Sequence, residues 1–164
     1  MADPVEITEI EVETSDDLRQ IALEMALNCR RTLDIVSRQL DPAIYDQVPF
    51  VEAVKQIALN NRLARIRFLV SDVGPLVSRG HRLIELSSRL SSFISIRKPG
   101  RDHRNFNEAM HLADNTAYIH RRFADRYEGI ASHDDKRRAS SLTDQFEEIW
   151  GRAEIDPNLR RLHL

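Results

Sequence analysis

Two hydrophobic periodicities alternate along the chain. VEITEIEV (5–12) alternates imperfectly, with Val5 and Ile7 in one phase and Ile10 and Val12 in the other, which predicts an edge strand or an extended arm. Ser15 then stands at an N-cap position, and Asp16 and Asp17 follow in the first turn, where the positive helix end favours them. Leu18, Ile21, Ala22, Met25, Ala26 and Cys29 mark one apolar face of a helix of about four turns. TLDIVS (32–37) is short, β-branched and closed by Gln39-Leu40-Asp41-Pro42, so it reads as a buried strand. Pro49 opens a second helix through Phe50, Val51, Val54, Ile57 and Ala58, ending at Asn60 and Asn61. ARIRFLVS (64–71) is the next strand, Asp72 to Gly80 a loop, His81 to Leu90 a helix, and FISIRK (93–98) a third strand. Strands joined by helices at such short spacing pair in parallel, because parallel neighbours need a crossover. The first hundred residues therefore predict an α/β layer.

After Lys98-Pro99-Gly100 the pattern changes. NEAMHLA (107–113) and TAYIHRR (116–122) predict two short strands joined across Asp114-Asn115 in a hairpin, and Asp134 to Trp150 a closing helix with Ala139, Leu142, Phe146, Ile149 and Trp150 inward. The expected fold is a mixed, mostly parallel sheet flanked by helices. Residues 1–14 form an acidic arm or strand, 15–152 the domain and 153–164 a tail in which Leu159, Leu162 and Leu164 allow docking.

Composition adds limits rather than an activity. A chain of 164 residues buries roughly 70% of its unfolded surface in one core, without metals or disulfides. Cys29 stands alone, the start is acidic rather than a basic-then-apolar leader, and no run approaches the ~18 apolar residues of a membrane helix. A soluble, cytoplasmic protein is expected. The net charge is −2, yet 21 of 24 basic residues are Arg and three are Lys (Lys55, Lys98 and Lys136). Arg suits bidentate binding of phosphate and carboxylate, and the same skew follows from a GC-rich genome. Residues 1–24 hold eight acids and one base, whereas 97–138 hold ten bases and seven acids, so an anionic partner is sought in the second region.

Arg79, His81 and Arg82 stand at a predicted helix start after a strand, a place where α/β sheets bind anions. His120 and Arg122, on the hairpin, share a strand face and form a second candidate. The six His residues are scattered and none has the i, i+4 spacing of a zinc site; no Gly-x-Ser-x-Gly occurs. No metal or cofactor is expected. Trp150, Tyr45 and Tyr118 read as packing residues.

TLDIVSRQLDPAIYD, PFVEAVKQIALNNRLARIRFLVSD, the helix after it, FISIRK, and a hairpin ahead of a final helix together resemble one half of a phospholipase D-like (HKD) domain of a bacterial family, over residues 15–152. That resemblance implies His-x-Lys and, after four intervening residues, Asp at the start of the hairpin region. The His attacks phosphorus, the Lys holds phosphate oxygens, the Asp supports the site, and two such motifs meet at one cleft. With Asp114 as that Asp, the Lys position falls on Ala109 and the His position on Asn107. Neither His103 nor His111 is followed two residues later by Lys. An amide cannot serve as the nucleophile and a methyl group cannot offset developing charge. The expectation is a non-catalytic domain that binds an anionic, phosphate-containing ligand or a protein, and that pairs as a homodimer. The alternatives are a nucleic-acid binder or nuclease relative using 97–138, and a phosphodiesterase of altered chemistry using His81 or His120.

Overall fold

A computed structural model describes residues 9–161. Seven strands form one sheet in the order β1-β7-β6-β5-β2-β3-β4. They are β1 (Ile10–Val12), β2 (Thr32–Ser37), β3 (Arg65–Val70), β4 (Ile94–Arg97), β5 (Ala109–Ala113), β6 (Ala117–Arg121) and β7 (Gly129–Ser132). The helices α1 (Ser15–Asn28), α2 (Pro42–Tyr45), α3 (Val48–Asn60), α4 (Gly74–Arg79) and α5 (Arg82–Arg89) serve one face, and α6 (Lys136–Gly151) serves the other. The sheet is mixed, with β2–β3 and β3–β4 parallel and the other four neighbour pairs antiparallel. Parallel pairing is thus confined to the strands joined by helical crossovers, although five of the seven strands point the same way.

β2 and β3 lie mid-sheet and are buried on both faces, which explains their nearly unbroken apolar runs. Ile66, Phe68 and Val70 enter the larger core under α1–α5; Leu69 and Val36 enter the smaller core with Leu142, Phe146, Ile149 and Trp150 of α6. Each such large side chain contributes about 1.5–3 kcal/mol when fully buried.

Several boundaries differ from expectation for local reasons. Thr14, not Ser15, caps α1: its hydroxyl accepts from Asp17 N at 3.1 Å and Asp17 Oδ2 accepts from Thr14 N at 3.2 Å. A cap at Ser15 would place Leu18 where that reciprocal acceptor is needed. The expected loop 72–80 contains α4, opened by Pro75 and by Asp72, whose carboxylate accepts from Gly74 N. β7 gave no sequence signal, being four residues of Gly, Ile, Ala and Ser, yet it carries β1 on its outer edge. Only Ile10–Val12 of the expected 5–12 strand is extended, and residues 5–8 lie outside the described part. The expected tail is folded: Lys98 and Glu154 exchange backbone hydrogen bonds of 2.7 and 2.8 Å, and Leu159 of α7 (Pro157–Arg161) is buried. Leu162 and Leu164 lie outside the described residues. No described helix is long and apolar enough to cross a membrane.

Candidate functional site

In an open α/β sheet, ligands bind beyond the C-terminal ends of the parallel strands. At that end β2 finishes at Ser37, β5 begins at Ala109 and β6 ends at Arg121, which pairs directly with Ala109. Ala109, His111 and Arg121 share the sheet face that carries α1–α5, and all three are at most 4% exposed. The chain after β6 is tied over them by three bonds. Arg121 Nη1 donates to Arg126 O at 2.6 Å, Ala124 N to Asn107 O at 2.8 Å, and Tyr127 Oη to Asp41 Oδ2 at 2.9 Å. Gly129 permits this closure, since a Cβ there would come 2.6 Å from His120 O and 2.9 Å from Arg121 Cγ.

His111 stacks on Tyr45 (ring centroids 6.2 Å apart) and meets Phe50 edge-on at 6.1 Å. Neither of its ring nitrogens has a hydrogen-bond partner. Burial pushes its pKa down to about 3, with the charge of Arg121 adding to the effect, so the ring is a neutral imidazole at ordinary pH. Burial likewise pushes the Tyr45 hydroxyl up to about 12. Asn107 is exposed but supplies only an amide.

Asp114 stands at the opposite end of β5, about 17 Å from Ala109 at strand rise. Its carboxylate accepts from Arg30 N, Arg31 N and Thr32 N at 2.7, 2.8 and 3.0 Å. Asp114 and Asn115 take positive φ values of 52° and 58°, so the residue that turns the hairpin also anchors it to the loop before β2. Its support of the strand end with Asn107 is therefore indirect, through the strand itself. Cys29 Sγ also approaches Asp114, and burial followed by that negative charge pushes the thiol up to about 12, leaving it unreactive.

Arg79, His81 and Arg82 do not converge. His81 caps α5: its Nδ1 accepts from Leu83 N at 3.1 Å and its Nε2 donates to Leu40 O at 2.9 Å, so no ring nitrogen is left for a ligand. Burial holds its pKa below the ordinary value. Arg82 pairs with Asp46 at 3.1 Å, and Arg79 is exposed at the end of α4.

His120 lies on the sheet face opposite Ala109 and His111, because side chains alternate along β6 and Arg121 takes the inner face; Arg122 follows the strand end beside it. They line a cleft between the β1–β7 edge and the start of α6, together with Arg126, Arg138 and Phe123. Arg138 Nη2 lies 3.3 Å from His120 Nδ1, which fixes Nε2 as the donor to Glu108 Oε1 at 2.6 Å. Arg122, Arg126 and Arg138 make no carboxylate ion pair among the described residues, and Arg126 lies over the half-exposed Phe123 ring at 5.3 Å. Glu11, Glu13 and Glu128 line the same cleft. Sequence reasoning missed Arg138 and Phe123. The first belongs to the Lys-Arg-Arg run that opens α6, and only the fold shows which member points at β6. Among the described residues no group of three His, Cys, Asp or Glu side chains is placed to hold a metal.

The fold is phospholipase D-like. TrmBL2, an archaeal chromatin protein whose structure is described as showing a novel mode of DNA binding, superposes with a TM-score of 0.66 at 17% identity, over 94% of this chain and 56% of its own. NucT from Helicobacter pylori gives 0.65 at 11% identity over 92% of this chain and 100% of its own. Nuc from Salmonella typhimurium, a phospholipase D family member, gives 0.61 at 13% identity over 90% and 97%. This chain thus spans little more than half of the archaeal protein and nearly the whole of the other two. No curated protein matches the sequence. Residues 14–162 match the family described as Domain of unknown function (DUF7931), and the chain belongs to that family.

Proposed function

We propose that this chain is a non-catalytic phospholipase D-like domain that binds a phosphodiester ligand in the cleft of His120, Arg122, Arg126 and Arg138. The motif positions argue against catalysis: Asn107 offers no nucleophile, Ala109 no cation, and the imidazole on the same sheet face, His111, is enclosed and unable to reach a substrate. Loss of one charge-stabilising donor alone costs ~10²–10³ in rate, and loss of the nucleophile removes the covalent route altogether.

The observation that carries the binding reading is the set of three cleft arginines without a carboxylate partner among the described residues, beside an exposed aromatic ring. Arginine forks match phosphate oxygens, and Phe123 offers a face for a base or another flat group. Glu11, Glu13 and Glu128 bring the local charge near zero, which favours a ligand held by direct contacts over a long-range polyanion field. The DNA binding described for the archaeal chromatin protein makes an oligonucleotide the first probe.

Anisotropy of a labelled single-stranded oligonucleotide at low salt is the test. Saturable binding is expected, with a salt slope corresponding to about three phosphate contacts. Arg122→Ala and Arg138→Ala should each weaken it roughly tenfold, as expected for about 1.4 kcal/mol per lost contact. Arg82→Ala, on the far side of the molecule, should leave it unchanged. Absence of binding at low salt, or equal weakening by Arg82→Ala, refutes the assignment.

A further inference from the structure

The groove between α1 and α3 belongs to neither the motif end nor the basic cleft. Leu23, Ala26, Ala53 and Ile57 line it, and Leu27 borders it at 65% exposure. Both helices lead from the C-terminal ends of strands back to the N-terminal ends of the next, so they are parallel and the groove has a direction. Glu52 lines its upper end and Arg30 its lower end. On α1, Asp16, Gln20, Leu23 and Leu27 follow one another at 4-3-4 spacing and share a face, and Arg30 and Arg31 come after the helix. The face therefore reads acid, amide, apolar, apolar, base over the ~21 Å of a 14-residue helix. The side chains of Arg30 and Arg31 make no hydrogen bond or ion pair among the described residues, and Glu52 accepts only from Gln56; Asp16 is paired with Arg19 at 2.7 Å, so Glu52 is the acid left for a second chain.

We infer that this face is a self-complementary interface that takes a second copy of the chain, with the two α1 helices antiparallel about a two-fold axis near Leu23. Antiparallel pairing brings Glu52 of each copy toward Arg30 of the other, while Leu23 meets its counterpart on the axis and Leu27 packs against the Gln20–Leu23 stretch of the second copy. Parallel pairing would place acid on acid and base on base. Such an isologous patch needs only one surface, which suits a pattern whose charge inverts about its midpoint. The interface differs from the meeting of two half-sites that the family resemblance implies, since Ala109 and His111 are already covered by their own chain. It stands apart from the oligonucleotide reading, because the basic cleft lies against α6 on the other side of the sheet.

Sedimentation velocity of the full chain tests it. The wild type should sediment at twice the 19.0 kDa chain mass. Leu27→Asp should give monomer with an unchanged far-ultraviolet circular dichroism spectrum, a melting temperature that no longer depends on protein concentration, and unchanged oligonucleotide binding, Leu27 being exposed in the single chain. Arg30→Glu should weaken the dimer at least tenfold, and adding Glu52→Arg should restore it. A wild type that stays monomeric at every concentration up to its solubility limit overturns the inference. A dimer indifferent to Leu27→Asp, or a double variant no better than Arg30→Glu, does the same.

Discussion

Two arginines are buried to the same extent on opposite faces of one sheet, and their surroundings could hardly differ more. Arg67 on β3 is 5% exposed and faces α6. Its Nε and Nη2 donate to the two oxygens of Asp34, its β2 register partner, at 2.8 and 3.1 Å, and Nη1 donates to Glu147 at 3.1 Å. Its guanidinium lies 4.8 Å from the Phe146 ring centroid and 5.3 Å from that of Trp150. Hydrogen bonding to Arg67 holds the Glu147 carboxyl below its ordinary range, while burial pushes Asp34 up against the opposing pull of the same guanidinium. Arg121 on β6 is 4% exposed, and its one side-chain bond among the described residues goes to a backbone carbonyl. Neither ring nitrogen of its neighbour His111 has a hydrogen-bond partner. Buried charges are ordinarily paired. The α6 face obeys that rule; the strand end that carries Ala109, His111 and Arg121 departs from it.

Substitutions can break this contrast. Arg67→Met leaves Asp34 buried without its partner and should cost about 3–5 kcal/mol, read as a lower urea midpoint at unchanged slope. Arg121→Met removes a charge that no carboxylate balances, and the same titration should show anything from no change to a gain of about 2 kcal/mol. A loss as large as that of Arg67→Met would erase the distinction between the two sites. His111→Leu has the smallest expected effect, a gain of about 1 kcal/mol from removing an unsatisfied buried polar group.

His111→Leu also sharpens the comparison through pH. In the unfolded chain His111 takes up a proton near pH 6.5, whereas the folded ring stays neutral down to about 3. Between those values the unfolded state holds more protons, so folding stability falls as pH falls, by at most about 1.4 kcal/mol per pH unit from this group. His81, also depressed by burial, adds in the same direction. The stability–pH curve of His111→Leu should be shallower than wild type over that window and parallel to it above pH 7; parallel curves throughout would mean that His111 protonates as freely folded as unfolded.

Much of this architecture was legible in residue order. TLDIVS matches β2 residue for residue, and the hairpin turn at Asp114-Asn115 followed from residues that tolerate positive φ. The inner face of α6 followed from its 3.6-residue period. What escaped depends on neighbours distant in sequence. β7 is only four residues, Gly-Ile-Ala-Ser, too short for a period to show, and exists because β6 and β1 pair with it. Tail docking rests on the Lys98–Glu154 bridge. Within the candidate site, residue type did not reveal which way a side chain points. His81 was readable as a His at a helix start, but its inward rotation and cap bonds were not. The opposite facing of His120 and Arg121 follows from strand alternation once β6 is placed, and the partners of Arg121 and Arg122, Arg126 O for one and no carboxylate among the described residues for the other, follow only from the fold.

The central claim is that a phospholipase D-like fold here binds without catalysing. Its most direct test is prolonged incubation of the purified wild-type chain with bis(p-nitrophenyl) phosphate, measured against a Asn107→Ala, His120→Ala double variant prepared in the same way. The account predicts equal, background-level release of nitrophenolate from both. Turnover by the wild type that the double variant loses would contradict it.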